Sequence, residues 1–212
     1  MTKQAIIRFQ HPAGTRSSSQ WRQALSERWP VATREMACQQ SANAFSLIAL
    51  GPGGTAALQD DVMDCMRAVA DTAGRTLDVE MLELTPAVSF TGHRWSYVVP
   101  RLVVAKGGDW EPWRVAQLAD AQVEQLRARI DADLRRQLLG WLGEENPALD
   151  IRFEDVGRPM PLKGAISAPK PVTVMARLDV RFSSTKRLEG AFFCGHLAAT
   201  GHGRVFRDGQ QG

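Results

Sequence analysis

The stretch Leu188–Arg207, LEGAFFCGHLAATGHGRVFR, decides how the rest of the chain is read. An apolar strand, Ala191-Phe192-Phe193-Cys194, runs into Gly195 and then through small residues to Gly201-His202-Gly203. The chain returns as a second short strand, Arg204-Val205-Phe206-Arg207. Glycines let a backbone turn through positive φ and let another chain approach its N–H groups closely. His196, His202, Arg204 and Arg207 add donors and positive charge suited to an anionic ligand. Two readings fit these residues alone: a hairpin whose glycines only satisfy turn geometry, or a loop that holds an anion.

The pattern Gly195-x5-Gly201-x-Gly203 is apolar before, basic after and close to the end of the sequence. It resembles the glycine-rich loop of the RAMP superfamily, the ferredoxin-like RNA-binding proteins of CRISPR systems. Within that superfamily the chain is most similar to the CRISPR repeat-RNA processing endoribonucleases, of the type IV branch. The specific match covers about 20 residues, and the order of elements agrees loosely over the remainder.

The resemblance implies a metal-independent endoribonuclease that cuts CRISPR repeat RNA on the 3′ side of a hairpin and retains the product. Its partner would be that hairpin, with other CRISPR effector subunits as further candidates, and it would need no cofactor and no metal. In such enzymes a base takes the proton from a ribose 2′-OH, which attacks the adjacent phosphate, and an acid protonates the leaving 5′-oxygen. An imidazole titrating near ~6.5 serves either role at neutral pH. A catalytic histidine often lies between the first strand and first helix of this family, which selects His11. Arg16, Arg22 and Arg34 are the neighbouring candidates for stabilising a phosphorane. The RNA-binding set that follows is Gly195, His196, Gly201, His202, Gly203, Arg204 and Arg207, with Arg8, Arg127, Arg135, Arg177 and Arg181. Two alternatives stay open: a RAMP subunit that caps guide RNA without cutting, and a small α/β enzyme binding a phosphorylated metabolite.

Composition narrows the class. A 212-residue chain with 44% hydrophobic residues has room for one domain or two. Its net charge of +3 permits nucleic acid without requiring it, so the distribution of charge matters more than the total. Cys38, Cys65 and Cys194 are scattered and odd in number, which predicts neither a disulfide framework nor a zinc site. The opening MTKQAIIRFQ has too short an apolar run for a signal peptide, and no segment approaches ~20 apolar residues. The expectation is a cytoplasmic protein away from membranes.

Along the chain, Lys3–Phe9 alternates as a strand, with Ala5, Ile7 and Phe9 on one face and Ile6 and Arg8 on the other. Ser17 or Ser18 can cap a helix whose stripe is Trp21, Leu25 and Trp29. Residues 31–43 show no clear period. Phe45–Leu50 reads as a buried strand, and GPGGT (51–55) leads into a helix capped by Thr55 and ended by Gly74. Leu77–Leu84 and Trp95–Ala105 read as strands, with a turn at Thr91-Gly92-His93. The longest helix is expected over Trp113–Leu142, where Arg127, Arg129 and Arg135 stand four residues from an aspartate. Leu149–Val156 is a further strand, and Gly157–Lys170 a loop. Val172 to Phe182 alternates without a fault, its polar face carrying Arg177 and Arg181. Trp110 and Trp113 are the tryptophans best placed for exposed base stacking.

The expected fold is α+β, with one or two ferredoxin-like domains. The boundaries are 1–108 for the first, 109–148 for a long helical segment that is a candidate RNA-contacting finger, and 149–212 for the C-terminal RAMP portion with the glycine-rich loop.

Overall fold

Four strands of the N-terminal half form one antiparallel sheet. They are β1 (Gln4–Gln10), β2 (Met36–Gln40), β3 (Ala44–Ala49) and β4 (Val79–Leu84), in the order β2-β3-β1-β4. The structure is a computed structural model that describes residues 3–10, 16–29, 35–41, 43–106, 111–115, 117–143, 145, 148–163 and 174–209. Helices α1 (Ser18–Arg28), α2 (Pro52–Asp60) and α3 (Val62–Ala73) lie on one face of this sheet. The alternation in β1 sets the layering. Ala5, Ile7 and Phe9 enter the large core beneath the helices, and Ile6 faces the other way.

Ser17 caps α1 with a reciprocal box, its hydroxyl accepting from the Gln20 N–H while Gln20 Oε1 accepts from the Ser17 N–H at 2.8 Å. Trp21 and Leu25 are buried, and the Trp21 ring stacks on Phe45 at 4.4 Å. The expected single helix after GPGGT is two helices meeting at Asp61. It starts at Pro52, which suits a first-turn position because its missing N–H would be unpaired there anyway.

The second sheet repeats the same permutation. Its strands are β5 (Ala87–Lys106), β6 (Arg152–Val156), β7 (Met160–Lys163), β8 (Val174–Glu189) and β9 (Phe206–Arg207). The order is β6-β8-β5-β9, with β7 also paired to β8. Beyond β5, helix α4 (Asp120–Leu142) buries Leu126, Ile130, Leu134, Leu138 and Trp141. Each half therefore runs strand, helix, strand, strand, connection, strand, with the last strand beside the first. In the first half the final connection contains α2 and α3. In the second it is the glycine-rich segment, residues 190–205. The α+β, ferredoxin-like expectation holds.

Several local expectations differ. β2 lies where no period was visible, because MACQQ buries three consecutive residues rather than alternate ones. β7 falls in the expected loop. Thr91-Gly92-His93 is not a reversal, since β5 continues through it with an irregular register between Phe90 and Trp95. α4 begins at Asp120 and not at Trp113.

Residues 191–198 pack on the face of the first sheet that the helices leave bare. Ala191 and Phe193 form a cluster there with Ile6, Ala37 and Ile48. The glycines make this possible by being small on the protein side. At Gly203, φ is +69° and a Cβ would meet the Cys194 carbonyl oxygen. At Gly195, φ is +76° and a Cβ would stand 2.6 Å from the Val103 oxygen. Gly203→Ala is therefore expected to destabilise by about 3 kcal/mol, strain and overpacking together. Thermal unfolding should show this as a Tm roughly 10 °C lower. Gly92→Ala, where a Cβ meets nothing within 4 Å, should leave Tm unchanged.

Candidate active site

A cleft of about 740 Å³ opens where α1, the end of β2, β5 and the glycine-rich segment meet. Ser17, Ser18 and Ser19 bring the start of α1 to one wall, and Gln39 and Gln40 line it from β2. Thr200, His202 and Arg204 form the facing wall. Pro100 and Arg101 enter from β5 at a register shift between Val99 and Leu102. Proline cannot donate to the ladder, so the strand bulges there and re-aims its next side chain. Arg101 consequently sits at φ +56°, rare for a residue with a Cβ, and its N–H donates to Asp179 Oδ1 at 2.7 Å.

The hydrogen bonds of His202 favour one tautomer of the neutral ring. Thr200 Oγ1 donates to the Leu197 carbonyl at 3.0 Å, so toward His202 Nδ1, 3.1 Å away, it acts as acceptor. Nδ1 then carries the proton, and in the neutral ring Nε2 keeps its lone pair. That Nε2 is buried and has no partner. Burial, then the charges of Arg101 and Arg177, hold the imidazole below its ordinary titration range. At neutral pH the ring is an uncharged base.

Arg204 donates to Gln39 Oε1 and lies over the Phe206 ring at 4.9 Å, which ties the glycine-rich segment to β2 and fixes one guanidinium face. Its burial pulls its pKa down. Arg22 also acts as a brace. It donates to the Met36 carbonyl at 3.0 Å and the Ala199 carbonyl at 3.5 Å, joining α1, β2 and the glycine-rich segment. Arg16 is exposed just before the Ser17 cap. His11 and Arg34 lie outside the described residues, as does Trp110.

The remaining candidates scatter. Arg8 is exposed on β1, opposite Glu80 in register. Arg127 pairs with Glu124 rather than Asp131, and Arg135 lies 3.7 Å from Asp131. Arg177 is half-buried on β8, and Arg181 lies 3.8 Å from Asp208. Arg207 stands over Trp95 at 5.5 Å. His196 points away from the cleft, with Nε2 3.0 Å from Arg129 and its N–H on the Val103 carbonyl. Trp113 is buried in the core and is not an exposed stacking surface.

Open backbone N–H groups, the expected use of the glycines, are not what Gly195 and Gly201 present. Gly195 N–H donates to Asp133 Oδ2 at 2.7 Å and Gly201 N–H to the Ala198 carbonyl at 2.9 Å. The GPGGT turn is likewise filled from within. Glu35 Oε2 accepts from Gly54 N–H at 3.1 Å, so a carboxylate already occupies that helix start.

The family model described as "Type IV CRISPR-associated endonuclease Csf5" matches residues 34–210. The chain belongs to this family. Its activity is that of a CRISPR RNA endonuclease, and the reading as an enzyme for phosphorylated metabolites falls. A solved structure described as "Csf5, CRISPR-Cas type IV Cas6 crRNA endonuclease" shares the fold at TM-score 0.72 and 20% identity, over 97% of this chain and 99% of that one. A crystal structure of Cas6b does so at TM-score 0.68 and 10% identity, again over 97% and 99%. A second Cas6b, titled a CRISPR RNA processing endoribonuclease, reaches TM-score 0.51 at 13% identity, with the same coverage. No curated protein sequence matches. The Csf5 match begins at residue 34, so it does not bear on His11, Arg16 or Arg22.

Arg101 is the residue that sequence reasoning missed, and Pro100 inside an apolar strand was the available signal. For His202, NMR of the ring Cε1–H should give a titration midpoint below ~6.5. Because the folded value is the lower one, the unfolded chain binds more protons between the two midpoints. The stabilising contribution is full above ~6.5 and is lost as pH falls toward the folded value. His202→Gln should flatten that acid-side loss in thermal unfolding between about pH 7 and 5.

Proposed function

We propose that this Csf5-family enzyme cuts CRISPR repeat RNA by attack of a ribose 2′-OH on the adjacent phosphate, without a divalent metal. The phosphate would sit in the cleft between α1 and the glycine-rich segment. The observation that carries this reading is His202 Nε2, an unpartnered lone pair on a wall shared with Arg204 and facing Arg101. Once RNA binding uncovers it, Nε2 takes the 2′-OH proton, the 2′-oxygen bonds to phosphorus, and the phosphorus–5′-oxygen bond breaks. The products are a 2′,3′-cyclic phosphate and a 5′-hydroxyl.

Arg101, Arg204 and Arg16 stabilise the charge that develops on the phosphorane, and Arg22 holds two of the walls together. This moves proton abstraction from the N-terminal segment to the glycine-rich one. His11 keeps the complementary role, protonating the leaving 5′-oxygen.

The arginine faces of α4 and β8, with Arg127, Arg135, Arg177 and Arg181, would track the hairpin backbone. Retention of the hairpin-bearing product follows if those contacts outlast the cut. The test is single-turnover cleavage of the cognate repeat RNA in EDTA, with the product ends analysed. A cyclic phosphate formed at the normal rate is expected. His202→Ala should slow the step by about 10²–10⁴ with RNA affinity within a few-fold. Activity lost in EDTA and restored by magnesium would overturn the reading.

A further inference from the structure

Residues 191–195 run extended, and among the described residues their backbone pairs with another backbone segment on one edge only, through an isolated bridge between Phe193 and Arg204. On that edge Val205 N–H donates to the Phe192 carbonyl at 2.9 Å, and Cys194 N–H to the Gly203 carbonyl at 2.8 Å. The other edge presents Ala191, Phe193 and Gly195. Each of the three is met by a side chain. Gln4, fully buried, accepts from Ala191 N–H at 2.7 Å and donates to the Ala191 carbonyl at 2.8 Å. Gln137 accepts from Phe193 N–H at 3.0 Å and donates to the Phe193 carbonyl. Asp133 accepts from Gly195 N–H.

A carboxamide can present one of its two N–H donors beside its oxygen as a peptide unit does, so Gln4 and Gln137 act as single rungs of a missing strand, and Gln137 Nε2 also donates to the Asp133 carbonyl at 2.9 Å. They come from different halves of the molecule: Gln4 from β1 and Gln137 from α4. Gln4 Nε2 also donates to the Ala49 carbonyl at 2.8 Å, which fastens the segment to the first sheet.

We propose that Gln4 and Gln137 are positioning residues for RNA cleavage. They fix the register of residues 191–195, and through Gly195 and Gly203 the placement of His202 and Arg204 opposite α1. The proposal rests on the cleft being the site of cleavage. Neither glutamine lines that cleft, so their effect reaches the RNA through the segment they hold.

Gln137→Glu separates this role from general packing. A protonated carboxyl has one O–H donor and one acceptor and reproduces the rung, whereas a carboxylate has no donor and faces the Phe193 carbonyl. The charged groups acting on the neighbouring Cys194 thiol are Asp133, Arg129 and Arg136, all on α4. All are present in every variant, so the ratio of variant to wild-type rate isolates the introduced carboxyl.

Single-turnover cleavage by Gln137→Glu, relative to wild type, should fall at least 10-fold from pH 5 to pH 8. Gln137→Ala should be impaired by a similar factor at every pH. A flat ratio for Gln137→Glu, or wild-type cleavage by Gln137→Ala, overturns the proposal. An independent readout is the His202 Cε1–H resonance and its titration midpoint, which should move in Gln137→Ala while circular dichroism stays unchanged. If wild type cuts no repeat RNA and the His202 signal still moves, the site assignment falls and the positioning role stands. If Gln137→Glu fails to fold, Gln137→Ala decides through amide exchange: Phe193 must lose protection relative to Val205, and equal protection sinks the idea.

Discussion

The structure depends on satisfying the backbone of a segment that is buried between two sheets. Ala191, Phe193 and Cys194 are almost wholly inaccessible, and a buried N–H or carbonyl without a partner costs on the order of 1–3 kcal/mol. A helix would satisfy its own backbone, and an ordinary strand would borrow from two neighbours. Among the described residues this segment pairs along residues 203–205 on one edge and completes itself on the other with Gln4, Gln137 and Asp133. The arrangement explains why a fully buried glutamine is tolerated in the first strand. Replacing it with an apolar residue would strand both polar groups of Ala191.

The same segment makes the cleft. In the first half of the chain two helices connect β3 to β4 and cover the sheet. In the second half the equivalent connection is extended and thin, so it slides over the bare face of the first sheet. Phe193 and Ala191 fill that face, and His202 and Arg204 are left at its rim beside α1. A helix in this position would have put its own bulk where Thr200, His202 and Arg204 now line open space. The repeated strand order and the absence of helices like α2 and α3 from the second connection are together the origin of the site.

What the sequence discloses follows from the range of the interactions. The Ser17 cap, the Trp21–Leu25–Trp29 stripe and the alternation from Ala176 to Phe182 are set by neighbours a few residues away, and each reads correctly, whereas Met175, expected on the polar face, is buried. β2 is silent because its partners bury Met36, Ala37 and Cys38 consecutively, which erases any period of two. The split at Asp61 and the late start of α4 lie inside continuous helical patterns, where only tertiary packing sets the boundary. The glycines were legible as unusual backbone, but not as backbone pressed against protein, since Cys38, Val103 and Asp133 lie about 60 residues or more away in sequence. Arg101 escaped notice because its orientation depends on the bulge and not on its neighbours' hydropathy.

Charge placement carries the argument one step further. The arginines of α4 are largely engaged locally: Arg127 with Glu124, Arg129 and Arg136 with Asp133, and Arg135 with Asp131. Around the cleft the balance differs. Among the described residues Arg16, Arg101 and Arg177 have no ion-pair partner, and the last two depress the titration of His202 together. The guanidinium groups near the cleft are therefore less locally paired than those of the helix, although the Asp179 carboxylate accepts from the Arg101 N–H. Exposed ion pairs are worth about 0–1 kcal/mol each, so a phosphate can displace a carboxylate from Arg127 or Arg135 at little cost. A chain of net charge +3 can in this way keep unpaired arginines near the cleft and locally paired ones along α4. The helix pairs do not exclude RNA. On the proposed reading, helix contacts would add affinity after the cleft had fixed where the backbone enters.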